Sequence, residues 1–226
     1  MTETLFPPKP WLTIAYQPRR TMQAILAADP ARYQILLVVV MTLLTWAAKY
    51  GLYQSLAALL PALAQMASSV PELGNVNNTS IETDVFSPLW KVPLLFLLGG
   101  WLLGWIGRRC FGGEGSTAQA RAALSWSGLP FFVLIFPLSC WLMAPDLQAL
   151  LLQLAERGMD AEPHVGVRLQ LACGLLALGS VGWLVSLCRT LAAAHGFTSW
   201  RGLGTALLAL LALSLITLPL GGLSFP

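Results

Sequence analysis

Three basic side chains have the greatest potential for chemistry, because each lies at or inside an apolar stretch of the sequence. They are Lys49, Lys91 and Arg168. A charged group within a membrane is costly and often marks a binding site or a transport path. Each lies near the end of its apolar stretch, so its long side chain can also reach the membrane surface. Two interpretations stay open: snorkelling to the surface, or joint binding of an anion such as a lipid phosphate.

The patterns typical of catalytic and metal sites are absent from the sequence. No carboxylate lies in the middle of an apolar stretch, where proton-coupled transporters generally carry one. His164 and His195 fall in predicted loops on opposite sides of the membrane, and no His, Cys, Asp or Glu set has metal-ligand spacing. The four cysteines are typical of small apolar packing residues. We therefore expect no enzyme activity, no cofactor, no metal and no nucleic-acid partner.

The composition indicates a membrane protein. Of 226 residues, 56% are hydrophobic and 10% are charged, and the mean hydropathy is +0.69. Soluble domains carry about 25% charged residues. A membrane-spanning helix needs roughly 20 mostly apolar residues. Five windows qualify, namely 34–53, 88–107, 122–143, 167–188 and 202–223. The predicted fold class is an all-α membrane protein, a bundle of five transmembrane helices.

The basic residues predict the orientation, because short cytosolic loops carry an excess of Lys and Arg. One set of segments holds nine of them: Lys9, Arg19, Arg20, Arg32, Arg108, Arg109, Arg121, Arg189 and Arg201. The opposite loops hold Arg157 and, at a span edge, Arg168. The topology is therefore N-in/C-out. Residues 1–33 form a cytosolic segment without a cleavable signal pattern, and residues 34–226 form the membrane domain.

Two short amphipathic helices are predicted to lie on the membrane surface. Pro18–Ala28 begins with a proline suited to a first helical turn and ends before Asp29-Pro30. Asp146–Arg157 carries leucines at helical spacing, with Asp146 as its N-cap. A less regular stretch, 54–66, is also expected to be interfacial rather than a sixth span. These helices either cover the ends of the bundle or form a surface for docking a partner.

Small residues and prolines distinguish two of the spans. Gly100 and Gly104 have the spacing that lets two helix backbones approach closely, either within the bundle or between two copies of the chain. Pro130 and Pro137 should kink the third span and free backbone carbonyls. We expect any polar cavity to lie in that span.

Three segments resemble the Yip (Ypt-interacting protein) family in its short bacterial form. They are residues 18–30, the glycine-rich loop with the entry to the third span at 112–130, and residues 191–204 before the last span. The resemblance covers nearly the whole chain from Pro18 onward and implies the five-span fold. Eukaryotic members that contact prenylated Rab GTPases have a long cytosolic N-terminal region, and this chain has about 33 residues there, so the Rab-related role is not carried over.

These features predict a non-catalytic protein of a bacterial inner membrane. The first hypothesis is a scaffold or adaptor that assembles with itself or another membrane protein, or organises lipids. The alternative is a protein that transports small molecules or translocates lipids. Candidate residues are Lys49, Lys91 and Arg168 for lipid or anion binding, Gly100 and Gly104 for helix packing or oligomers, and Arg19, Arg20 and Arg121 for a cytosolic interface. Membrane lipids are the expected partners.

Overall fold

The computed structural model describes residues 10–29, 31, 33–57, 85–157 and 165–221, and throughout these residues the regular structure is helical. The helices are α1 (Pro10–Tyr16), α2 (Pro18–Ala28), α3 (Gln34–Ala57), α4 (Pro88–Phe111), α5 (Thr117–Pro130), a π-helical turn (Phe131–Ile135), α6 (Phe136–Arg157), α7 (Val167–His195) and α8 (Ser199–Gly221). The stretch 58–66 of the expected interfacial segment lies outside the described residues, while 54–57 belong to α3.

Four helical stretches within the described residues are long and apolar enough to cross a membrane. They are Gln34–Ala57, Pro88–Phe111, Thr117–Gln153 and Val167–His195, and each contains one of the first four predicted windows. The fifth window falls on α8, whose apolar stretch Ser199–Leu215 is shorter. Large apolar side chains point outward, as Trp101 at 50% and Trp105 at 46% exposure show. Such exposure suits lipid, which solvates apolar surface as well as a protein core does.

The third span is longer than predicted and is irregular where its prolines predicted it. The chain runs as one helical stretch from α5 through the π-helical turn into α6. Proline removes a backbone donor, and its ring clashes with the preceding turn. Pro130 and Pro137 flank the wider turn, which provides the irregularity expected there.

The separate surface helix predicted at 146–157 is wrong, because α6 passes through Pro145 and Asp146 without a break. Asp146 caps another helix instead of its own. Its Oδ2 accepts a hydrogen bond of 3.0 Å from the Leu169 amide in the first turn of α7. A carboxylate stabilises the free amides and the positive dipole end of a helix, so Asp146 fixes the start of α7. Gly166 leaves room for this carboxylate, which a Cβ would overlap.

The chain forms two compact units. The first comprises residues 1–39, 92–130 and 181–226, and the second comprises 40–91 and 131–180. In the second unit Trp46 stacks on Tyr50, with ring centroids 5.6 Å apart, and Phe131 and Ile135 pack where Gly179 has no side chain. The N-terminal helices belong to the first unit together with residues 92–130 and 181–226.

The first unit is built around α5. This helix is rich in alanine and serine, and Ala120, Ala122, Ala123 and Ser125 are fully buried on it. Small side chains let neighbouring helices approach closely. Side chains of other helices donate to its backbone: Gln34 Nε2 of α3 donates to the Ala118 carbonyl at 3.0 Å, and Thr190 Oγ1 of α7 donates to the Ala123 carbonyl at 3.3 Å.

Candidate functional site

Helix α2 has the bounds predicted from the sequence, but its apolar face is buried in protein. Met22 and Ile25 are fully buried, and α2 contacts α1 and α5. The helix therefore does not insert this face among lipid headgroups, because the face packs against protein. The polar face remains outward, with Arg19 and Arg20 exposed.

Helix α1 was not predicted from the sequence, and it packs against α2. Its Ile14 is fully buried. The hydroxyl of Thr21 donates a 2.9 Å hydrogen bond to the hydroxyl of Thr13, which ties the two helices together. Two aromatic residues of α1, Trp11 and Tyr16, are 57% and 65% exposed.

An open cavity of about 430 Å³ lies where α2 and α8 begin. Arg19 and Arg20 of α2 line it together with Arg189 of α7 and Ser199 of α8. None of the described residues that line it is acidic. We call it the arginine cavity. Three guanidinium groups without a lining carboxylate create a positive potential, which favours an anion.

Two helices also begin at this cavity. The first amides of a helix have no intrahelical acceptor. At α2, Gln17 occupies the N-cap position without a side-chain hydrogen bond, so the amides of Arg19 and Arg20 have no cap from it. Helix α8 begins at Ser199 on the cavity wall. Helix N-termini attract negative charge through these amides and through the helix dipole.

A second cluster surrounds His195, which was predicted to lie in a loop. That prediction is wrong: His195 is the last residue of α7 and is 2% exposed. Its ring stacks on Phe197 with an interplanar angle of 4°. Neither ring nitrogen has a hydrogen-bond partner among the described residues. The imidazole is thus held by packing.

Glycines make the space that His195 fills. A Cβ at Gly107 would lie 2.7 Å from Nε2, and one at Gly113 would lie 2.8 Å from the His195 Cβ. Gly115 is equally close, with 2.7 Å to Nδ1. Such distances are shorter than van der Waals contact, so larger residues would displace the ring. The backbone amide of Glu114 also donates to the His195 carbonyl at 3.2 Å.

Gly196 ends α7 and permits the chain to turn. Its φ of 72° lies in the left-handed region that favours glycine. The Phe197 amide then donates to the Ala192 carbonyl at 3.2 Å, which is the Schellman pattern of a helix C-terminus. This turn places Ser199 at the cavity, four positions after His195 in the chain.

The structure places Gly100 and Gly104 inside the first unit. A Cβ at Gly100 would lie 3.2 Å from the Arg121 Cα, and one at Gly104 would lie 3.1 Å from the Thr117 Cα. Both glycines therefore serve the packing of α4 on α5 in one chain. Arg121 is half-buried by this contact, and its Nε is buried without a partner in the described structure. It does not line the arginine cavity.

The three basic residues near the span ends all belong to the second unit. Lys49 is half-buried on α3, and Arg168 is exposed on α7. Lys91 is exposed on α4, with its Nζ 5.4 Å from the centroid of the Trp90 ring, within cation–π range. Joint anion binding by these residues stays a prediction.

The sequence did not predict the cavity, because its walls come from distant segments. In the sequence, Arg189 bears only on the orientation, and no pattern distinguishes Ser199. Of the lining residues, only Ser199 lies in residues 191–204, one of the three segments carrying the family resemblance. Among the described residues no group of three His, Cys, Asp or Glu side chains could hold a metal ion.

The family comparison covers most of the chain. The sequence model of the Yip1 domain matches residues 11–224. No curated protein and no solved structure matches the chain.

Proposed function

Since the chain belongs to the Yip1 domain family of membrane proteins, we propose that it is a non-catalytic scaffold or adaptor of a bacterial inner membrane. It would assemble with itself or with another membrane protein, or organise lipids around it. The observation that carries this proposal is the construction of the first unit. Its N-terminal helices are anchored by the buried Ile14, Met22 and Ile25, and α2 carries the exposed Arg19 and Arg20 on its outer face.

A fixed surface suits an adaptor because little conformational entropy is then lost when a partner binds. A flexible basic tail loses conformational freedom when it binds, which weakens the complex. Here α2 already packs on α1 and α5, so the backbone that carries its outward arginines is in place before a partner binds. Gly100 and Gly104 of α4 pack against α5 of the same chain, and assembly would therefore use other surfaces.

The proposal includes five spans and the N-in/C-out orientation, with α8 as the fifth span. Cysteine labelling in intact cells tests it, in a background in which the four native cysteines are replaced by alanine. A Glu114→Cys variant should react with a membrane-impermeant maleimide only after cell lysis. Val165→Cys and Ser224→Cys should react in intact cells. Protection of Ser224→Cys in intact cells would contradict the fifth span.

Native mass spectrometry of gently extracted protein tests the scaffold role. We expect a defined oligomer or a stoichiometric complex with another membrane protein that survives dilution. A chain that stays monomeric across concentrations, and that shows no reproducible partner by crosslinking in cells, would contradict it. Size-exclusion chromatography with light scattering provides the control for detergent-bound mass.

Transport or lipid translocation is the second candidate, supported by the π-helical turn Phe131–Ile135 in a proline-flanked span. Such turns occur often at functional sites. Flux and lipid-flip assays in vesicles test this candidate, with Lys49, Lys91 and Arg168 each replaced by alanine. Absence of activity for the unmodified chain would remove it.

A further inference from the structure

We propose that the arginine cavity is a binding site for a phosphate-bearing anion. The cavity is lined by three arginines from two helices, by the first residues of α2 and by Ser199, the first residue of α8. This goes beyond the scaffold role and does not depend on it. A phosphate carried by a lipid headgroup and a free phosphate ester offer the same chemistry to these groups.

The side chains match phosphate in charge and in shape. Guanidinium groups bind phosphate oxygens with two parallel hydrogen bonds, and such charge-assisted bonds are stronger than neutral ones. Arg19, Arg20 and Arg189 have no ion pair or side-chain hydrogen bond recorded to other described residues. Their donors are thus available to an anion that enters from outside.

The volume allows more than a bare phosphate. Pockets of roughly 300–1,000 Å³ hold small organic ligands, and this cavity has about 430 Å³. A glycerol attached to the phosphate would fit the remaining space. The cavity is open, so the apolar part of a larger molecule could extend out of it.

Exposed aromatic residues favour a lipid as the carrier of the phosphate. Tyr16 lines the cavity and is 65% exposed, and Trp200 follows Ser199 and is 81% exposed. Trp11 on α1 is also largely exposed. Tyrosine and tryptophan prefer the headgroup level of a membrane. The aromatic residues would therefore hold the cavity at the depth of lipid phosphates.

The test uses the full chain purified in a zwitterionic detergent with no phosphate. It is titrated separately with dioctanoyl phosphatidylglycerol, with glycerol 3-phosphate and with inorganic phosphate, and binding is followed by tryptophan fluorescence and native mass spectrometry. Variants are Arg189→Gln and the double variant Arg19→Gln/Arg189→Gln. Arg109→Gln is the matched control, because Arg109 is exposed on α4, loses the same charge and does not line the cavity.

Loss of one arginine from a site for an anionic headgroup should weaken binding about five-fold. We expect phosphatidylglycerol to bind about five-fold more weakly to Arg189→Gln, about 25-fold more weakly to the double variant, and unchanged to Arg109→Gln. The altered arginines are on the surface, and unchanged circular dichroism checks that the variants are folded.

The three ligands separate the sources of the phosphate. Binding of phosphatidylglycerol alone identifies a lipid headgroup, and binding of glycerol 3-phosphate or phosphate with the same dependence on the arginines identifies a soluble anion; both support the site. No binding of any of the three, or an equal loss in Arg109→Gln, would overturn it. The oligomeric state is measured on the same samples, so failure of this site is distinguishable from failure of the scaffold role.

Discussion

Replacing Gly107 with alanine should destabilise the protein through one identifiable contact. The new Cβ would lie 2.7 Å from the His195 Nε2 and 2.8 Å from its Cε1. The ring cannot move away freely, because it is stacked on Phe197 and enclosed by the loop that contains Gly113 and Gly115. The steric conflict must therefore be relieved by shifting α4 or the end of α7.

The magnitude follows from two opposing effects. Overpacking a close-packed interior costs about 1–3 kcal/mol. Alanine inside a helix gains about 1 kcal/mol over glycine through lower backbone entropy in the unfolded chain. At Gly182 of α7 a Cβ would meet nothing within 4 Å. Gly182→Ala should therefore show the stabilisation from lower backbone entropy without a steric conflict. The free energy of unfolding should thus differ between the two variants by about 1–3 kcal/mol, with Gly107→Ala lower.

A second replacement identifies the contact. His195→Ala removes a buried ring and should cost about 2–4 kcal/mol by itself. In the double variant the alanine at position 107 no longer meets the ring. The free energy of unfolding lost in the double variant should therefore be smaller than the sum of the losses in the two single variants by about 1–3 kcal/mol. Neighbouring residues that share a contact show coupling of this size.

Thermal unfolding in detergent measures these differences, with intrinsic fluorescence and circular dichroism as two probes. For chains of this length, 1 kcal/mol corresponds to a shift of the unfolding midpoint of about 2–4 °C. Equal midpoints for Gly107→Ala and Gly182→Ala would refute the reasoning. So would strictly additive losses in the double variant with His195→Ala, because the conflict would then lie elsewhere.

Other replacements test single contacts by the same unfolding measurement. Asp146→Ala removes the cap of α7 and should cost about 1 kcal/mol; no change would contradict the cap. Met22→Ala should cost about 2–5 kcal/mol because the side chain is fully buried, while Gln23→Ala on the exposed face should change stability by less than about 0.5 kcal/mol. Ser116→Ala breaks the capping box with Gln119 at the start of α5 and should cost about 1 kcal/mol; an unchanged midpoint would refute that role.

The bounds of α2 could be predicted because the signals are local. Pro18 fits a first helical turn, and Asp29 adopts the extended conformation expected before proline, with φ −164° and ψ 109°. The long apolar stretches could also be predicted, since length and composition decide whether a helix can cross a membrane.

Contacts between distant segments could not be predicted in this way. The sequence near Asp146 suggested a cap for the residues that follow it, and only the fold brings Leu169 to its carboxylate. Likewise the spacing of Gly100 and Gly104 predicts a close helix neighbour without saying whether that neighbour is α5 or a second copy. The arginine cavity needs Arg189, about 170 positions after Arg19, and no local pattern joins them.

Hydrogen–deuterium exchange of the full chain in lipid nanodiscs measures most directly whether the N-terminal helices are a fixed part of the folded protein. Amides that open only with the surrounding structure exchange slowly, and those of loose segments exchange at once. We expect the α2 amides from Met22 to Ala28 to be protected to a degree comparable with Ala122 and Ala123 of α5. Exchange of α2 at the rate of an unfolded peptide would contradict the fixed surface on which the scaffold role and the arginine cavity both depend.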